Sequence, residues 1–345
     1  MRSDFVGNLG CERAWAGAPA VPPRVAQHAA ALACLARALA PDGIDEITVW
    51  TDAEVAARRS PVLTGLPALT VATGPAPVDA AAWGGRGELA RAGDGATWRE
   101  VAWHARVPAA LAARVNDRRL ALALATRLGC ALPGAGVATD DASLRALLAT
   151  MDRPWVAKAV LTAAGRDRAW GEGPPPVDVA RRLARLLERF GALVIEPWLP
   201  RLVDVATCGV IDAAGGVRLL PTHGGRLGAR GQFAGIELAP PSLGADEARV
   251  VVDTAAAVGA ALAAAGLRGP FAVDAFAYED EGGARQLHPL VEINARYTFG
   301  HVAHALGERL GAGVLGLGPP APAGAVVLLR PDDDDGAAAW FAPGG

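Results

Sequence analysis

FAVDAFAYEDEGGARQLHPLVEINARYTFG, residues Phe271 to Gly300, is the stretch that decides how this chain reads. Two runs rich in aromatic and branched residues flank a short acidic turn containing glycine, the pattern of a β-hairpin. With the turn centred on Gly283, antiparallel pairing sets Asp274 directly opposite Glu292. Side chains alternate between faces along a strand, so Phe271, Val273, Val291 and Ile293 share an apolar face. The other face carries Asp274, Glu292 and Asn294 side by side. Two carboxylates and an amide oxygen make a poor core. They make a good site for a hard cation such as Mg²⁺, which takes oxygen ligands and is commonly shared with substrate phosphates. Arg296 follows on the same alternation, within reach of a phosphate on such a metal. A solvated face of an amphipathic hairpin is the plainer alternative, and Phe276 and Leu290, interleaved with the carboxylates, count against it. Pro289 cannot donate to a ladder and predicts an edge or a one-residue bulge.

A length of 345 residues predicts two or three domains, or subdomains around a shared cleft. The chain is 52% hydrophobic and 20% charged, which suits a folded core. A net charge of −3 gives no basic footprint for nucleic acid. No uninterrupted apolar run is long enough for a membrane span, and MRSDFVGNLGCERAW lacks the apolar region of a signal peptide. Cys11, Cys34, Cys130 and Cys208 are far apart, as expected of isolated buried thiols in a reducing cytoplasm. Of 33 basic residues only Lys158 is lysine. Where arginine has replaced lysine everywhere else, the survivor marks a place that needs a compact ammonium. Asparagine is nearly as rare, with Asn8, Asn116 and Asn294 the whole set.

Along the chain, 5–10 and 44–50 read as strands around a helix at 24–40, a small α/β layer with a parallel sheet. A third strand falls at 67–72, with irregular connections through 60–95. Asn116 is placed to cap a helix whose stripe is Leu120, Leu124 and Leu128. Asp140 or Asp141 caps the next helix, to Ala149. A strand at 155–161 holds Lys158 and leads into the small-residue loop Thr162 to Arg166. A basic amphipathic helix follows at 178–190, then a strand at 192–196 and a stiff Pro197-Trp198-Leu199-Pro200 hinge. Segments 202–212 and 216–221 read as a second hairpin, and 222–235 as a mobile cationic loop. Helices are expected at 245–265 and 298–310, and then a Pro/Ala/Gly stretch with an acidic tail, Asp332 to Asp335.

Together these pieces describe a nucleoside triphosphate site. Lys158 can set its ammonium on phosphate oxygens while the following loop offers backbone N–H groups. Glu196, Trp198 and Leu199 end a strand at a hinge that can read an adenine edge. Asp274, Glu292 and Asn294 supply the metal site, and Arg296 charge for a transferring phosphoryl group.

In order and spacing the chain resembles the ATP-grasp superfamily. Asn116-Asp117-Arg118 resembles the motif that opens its central region, with Arg118 as the phosphate-contacting residue. PWVAKAVLTAAGRDR resembles the lid strand and its loop, which implies Thr162, Gly165 and Arg166 as nucleotide contacts. VIEPWL resembles the adenine hinge, and VDAFAY with LVEINAR the metal-ligating strands ending in E-x-N-x-R. The likeness covers 116–305. It departs from the family in its single lid glycine, Gly165, and in Asp274 where Glu is common; Asp204 is the candidate ribose partner.

The resemblance implies an α/β protein with α+β subdomains. The parts would be an N-terminal Rossmann-like subdomain at 1–115, linker helices and a small lid at 116–200, and a C-terminal ATP- and metal-binding subdomain at 201–345. It implies ATP and Mg²⁺ (or Mn²⁺) as cofactors and an ADP-forming carboxylate–amine ligase working through an acyl phosphate. Small-molecule carboxylate and amine substrates follow, with a homodimer as the assembly to test. Arg226 and Arg230, with His223 nearby, are placed to hold a substrate carboxylate, and read equally well as loop arginines in an arginine-only composition. A kinase that phosphorylates a small molecule, and a non-catalytic nucleotide-binding module, are the alternatives. His301 and His304 have the spacing of two zinc ligands without a third, and read better as partly buried helix histidines.

Overall fold

The computed structural model describes residues 1–344 apart from 18–20, 56–58, 85–96, 163–166, 229–232, 240–241 and 333–336. Gly165, Arg166 and Arg230, and most of the acidic run, lie outside the described residues.

The first layer is a parallel sheet. β1 (Arg2–Val6) leads through α1 (Cys11–Trp15) and α2 (Pro23–Ala33) into a 3₁₀ turn at Cys34–Leu39. β2 (Glu46–Thr51), β3 (Ala68–Thr73) and β4 (Ala81–Ala82) complete the sheet in the order β3-β2-β1-β4. The strand expected at 5–10 thus ends at Val6, and the helix expected through 40 tightens to 3₁₀ geometry at Cys34. α3 (Trp98–His104) starts from a Thr97–Glu100 capping box, and α4 (Ala109–Val115) follows.

The second layer begins with α5 (Arg118–Arg127). Its N-cap is Asp117, not Asn116, because the Asp117 carboxylate accepts the Arg119 N–H at 2.8 Å. Asn116 instead accepts the Ala295 N–H at 2.8 Å, tying α5 to the far end of the hairpin. Leu124 is buried while Leu128 is 40% exposed, so the expected stripe stops one turn early. β5 (Gly136–Ala138), α6 (Asp141–Ala149, capped by Asp140), β6 (Trp155–Ala159), β7 (Arg168–Gly171), α7 (Val177–Phe190) and β8 (Leu193–Pro197) follow. They form an antiparallel sheet in the order β5-β8-β6-β7. One of its faces, with Trp155, Ala157, Ala159, Leu193 and Ile195, packs on Leu144 and Leu148 of α6 and Leu183 and Leu186 of α7. By register the other face carries Val156, Lys158, Val194, Glu196, Arg168 and Trp170.

The largest sheet contains β9 (Arg201–Ile211), β10 (Val217–Leu219), β11 (His223–Leu227) and β12 (Phe233–Glu237). After α8 (Ala245–Ala264) come β13 (Gly269–Glu279), β14 (Arg285–Asn294) and α9 (Phe299–Leu310). β15 (Gly313–Leu317), β16 (Val326–Leu329) and β17 (Ala339–Pro343) close it. The order is β14-β13-β9-β11-β12-β15-β17-β16, with β10 on β9, and the strands pair antiparallel throughout.

Two expectations are corrected here. Much of 222–235 is the hairpin β11–β12 inside the sheet and not a mobile loop. The Pro/Ala/Gly stretch after α9 and the segment beyond the acidic run supply β15–β17, which pack Leu315, Leu329 and Phe341 against Phe5, Ile47 and Leu306. The first sheet therefore shares its core with α9 and the C-terminal strands.

Candidate active site

The central hairpin adopts the register its sequence calls for. Asp274 stands opposite Glu292, Ala272 opposite Asn294, and Gly283 makes the turn with φ 76°, a value that favours glycine. An irregularity follows at 289–291, since the next aligned pair is Phe276 with His288. It exchanges two neighbours. Leu290 joins Phe271, Val273 and Ile293 in the core beneath α8, whereas Val291 packs beside Phe276 with Leu132 and Leu199. The expected core position of Val291 and surface position of Leu290 are thus reversed, as a bulge at Pro289 dictates.

Asp274, Glu292 and Asn294 share the face that β9 extends with Ala206 and Asp204. The Asn294 amide donates to Asp274 Oδ2 at 3.1 Å, and its oxygen accepts from Arg296 Nη2 at 2.9 Å. Glu292 accepts from Arg118 Nη2 at 2.8 Å. Arg118 also donates to Ala159 O (2.6 Å), Thr162 Oγ1 (2.9 Å) and Thr162 O (3.0 Å), so one guanidinium joins the lid strand to the carboxylate pair. Among the described residues no cation is ion-paired with Asp274. Burial first, and then the Glu292 charge, push its carboxyl up to about 7, against the pull of Arg296 and Asn294.

Arg296 does not project freely. Its Nε is ion-paired with Glu12 of α1, and Nη1 donates to Tyr297 O at 2.9 Å. Lys158 lies on the side of its sheet away from α6 and α7 and is ion-paired with Glu196, which is 7% exposed. Burial would raise Glu196, but the Lys158 charge and hydrogen bond hold it below the ordinary carboxylate range. Glu196 is thus engaged by Lys158 instead of presenting a bare carboxylate at the hinge. At that hinge Pro197 and Pro200 have no N–H and the Trp198 N–H goes to Pro154 O at 2.7 Å; Leu199 is the remaining backbone donor. Asp204 accepts from Arg201 at 2.7 Å, and the Arg201 guanidinium lies 4.3 Å over the Phe276 ring. Arg226 is exposed on β11, while His223 is buried with its Nδ1 3.2 Å from His304 Nε2. His301 and His304 pack within the protein: His301 is fully buried and bonds Thr298 and the Gly209 carbonyl, and His304 meets His223.

Two neighbours of this face escaped the sequence reading. Glu12 follows a strand–loop turn and carries no motif. His288 shares the alternation of Glu292 and is 2% exposed with both ring nitrogens lacking a hydrogen-bond partner. Burial drives it down to about 4.

The donor set fits Mg²⁺: hard oxygens on adjacent strands, one of them a half-buried carboxylate without an ion-pair partner among the described residues. Among the described residues no cluster of three or more His, Cys, Asp and Glu could hold a metal, so two carboxylates, an amide and a ligand's own oxygens would have to suffice. Among the described residues no helix is long and apolar enough to cross a membrane.

No family model matches the sequence, and no curated protein sequence matches it either. Solved structures do match in fold. The chain is similar to carboxyaminoimidazole synthetase from Staphylococcus aureus complexed with ADP (TM-score 0.54, 9% identity, 100% of this chain and 93% of that one). It is similar to the biotin carboxylase domain of 2-oxoglutarate carboxylase from Hydrogenobacter thermophilus with MgADP, ADP and bicarbonate (0.56, 15%, 99% and 86%). It is also similar to biotin carboxylase from Campylobacter jejuni in a β,γ-ATP complex (0.57, 14%, 99% and 87%). With three sheets so arranged, this chain has the ATP-grasp fold.

Proposed function

We propose that the protein is an ATP- and Mg²⁺-dependent ligase that activates a small carboxylate as an acyl phosphate and passes it to an amine, releasing ADP. The observation that carries this reading is the half-buried Asp274 carboxylate, opposite Glu292 and without an ion-pair partner among the described residues, on a face ringed by Arg118, Arg296 and Lys158. Asp274, Glu292 and the Asn294 oxygen would hold Mg²⁺, which when bound neutralises charge on bridging phosphate oxygens. Arg118 and Lys158 bind phosphate from the lid side. The Leu199 N–H, between two prolines, donates to the base edge, with Trp198 and Asp204 beside base and ribose. Arg296, oriented by Glu12 and Asn294, offers its remaining donors to the anion that accepts the phosphoryl group. Arg226, exposed on β11, belongs to the acceptor side. Little covalent help is required of the protein; positioning and charge carry the chemistry.

The test is ADP release with Mg²⁺ over paired carboxylic acids and amines, bicarbonate included because it is bound in the H. thermophilus carboxylase structure. An amide-type product supports the ligase, and a stable phosphoester would favour a kinase instead. MgATP binding without ADP release on any pair would leave only a binding module. Asn294→Ala is expected to abolish ADP release and spare most MgATP affinity; unchanged turnover removes Asn294 from the metal site.

A further inference from the structure

The face between the lid sheet and β13–β14 is almost fully paired. Lys158 meets Glu196, Arg118 meets Glu292, Arg201 meets Asp204, and Arg296 meets Glu12. Among its described residues two charged side chains stand outside that pairing. Asp274 on the central sheet has only the Asn294 amide. Arg168, the first residue of β7, has no carboxylate within ion-pair distance, and its Nε is buried without an acceptor.

Register fixes where Arg168 stands. It is directly opposite Lys158 on β6, on the same side of the sheet as Glu196, and its guanidinium lies 5.0 Å from the Trp170 ring. An unpaired guanidinium N–H in a buried position is costly, and the nearby positive charges of Arg201 and Arg118 add repulsion. Relief requires an anion that the described residues do not supply. On the facing wall Asp274 requires a cation. One cation seeking an anion and one carboxylate seeking a cation, on opposed walls, match a polyanion that carries its own metal. The sequence adds a second reason: the loop Thr162 to Arg166 holds one glycine, so close backbone approach to phosphates is limited there and a side-chain donor has work to do.

We propose that Arg168 is a phosphate-binding residue of the nucleotide site, donating to the triphosphate from the lid side opposite Lys158. This rests on the nucleotide reading of the cleft. It assigns the phosphate, and not the base, because register sets Arg168 directly opposite Lys158, the residue that binds phosphate from the lid side.

Binding of MgATP, of Mg-tripolyphosphate and of adenosine, each measured by calorimetry on wild type, Arg168→Met and Arg168→Lys, tests the assignment. The expected result is that Arg168→Met loses MgATP affinity by about tenfold to a hundredfold, the worth of a charge-assisted hydrogen bond. Tripolyphosphate should weaken in parallel, adenosine should not, and Arg168→Lys should recover part of the loss. Equal MgATP affinity in wild type and Arg168→Met overturns the assignment. A loss on adenosine as large as that on MgATP also overturns it, in favour of a nucleobase contact. If Arg168→Met does not fold, Arg168→Gln takes its place with the same expected losses. Should wild type bind neither MgATP nor MgADP, the nucleotide reading itself falls, an outcome separate from failure of the Arg168 role.

Discussion

Lys158 shows how much one side chain carries. It lies between Val156 and Val194, 2% and 1% exposed, and its ammonium is the counter-ion of Glu196. A guanidinium has the same charge but a wider planar head. Lys158→Arg is therefore expected to keep the fold and lose MgATP affinity by about tenfold, since a misplaced cation forfeits a charge-assisted bond. Lys158→Met tests the pair in another way. It strands a buried carboxylate and is expected to destabilise the protein by about 3 kcal/mol in urea unfolding, while adding Glu196→Leu recovers most of that loss. A double variant no more stable than the single would mean that the pair is not what holds this spot together.

At the scale of elements, α9 and the strands beneath it carry an acid-sensitive seam. His301 Nδ1 accepts the Thr298 N–H at 3.1 Å and its Nε2 faces the Gly209 carbonyl at 3.3 Å, an arrangement that fixes the neutral ring. Gly300 is obligatory beside it, because a Cβ there would lie 2.7 Å from both Cys208 Sγ and His223 Nε2. Burial lowers His223 and His301 to about 3 and His304 to about 4. The folded state thus refuses protons that the unfolded chain accepts below about 6.5. Their contribution is complete above that pH and is lost as pH falls towards the folded values. Stability is expected to decline between about pH 6.5 and pH 4, by up to about 1.4 kcal/mol per pH unit per histidine. His304→Gln should flatten part of the slope in urea titrations, and an unchanged slope would clear this helix of the acid lability.

At the scale of the molecule, two devices join the first sheet to the candidate site. One is the shared core, in which Phe5 and Ile47 pack with Tyr297, Val302 and Phe341. The other is the Glu12–Arg296 pair, 284 positions apart in the chain, with Glu12 buried and the Arg296 side chain 13% exposed. Arg13 adds a looser tie to Asp167 beside the lid strand, at 3.7 Å. Glu12→Gln and Arg296→Met are each expected to cost about 3 kcal/mol, and the double variant clearly less than their sum, because each single change leaves one buried charge alone. Additive losses in denaturant unfolding would show that the two do not act as a couple.

The sequence by itself determined what local chemistry controls: the period-2 alternation and Gly283 turn that put Asp274 opposite Glu292, the Asp140 cap, and the long helices at α7, α8 and α9. Its three asparagines marked joints as well. Asn8 exchanges two hydrogen bonds with Gly84, Asn116 holds Ala295, and Asn294 sits between Asp274 and Arg296. Tertiary structure decided the rest. A Pro-rich stretch after α9 became strands because a sheet edge and an apolar wall were there to receive it. A bulge exchanged Leu290 and Val291 because pairing resumed two residues out of step. Which acid neutralises which base was also beyond the sequence. Counter-ions are chosen by distance in the folded chain, and nothing in the local pattern ties Glu12 to Arg296 or leaves Arg168 and Asp274 without counter-ions among the described residues.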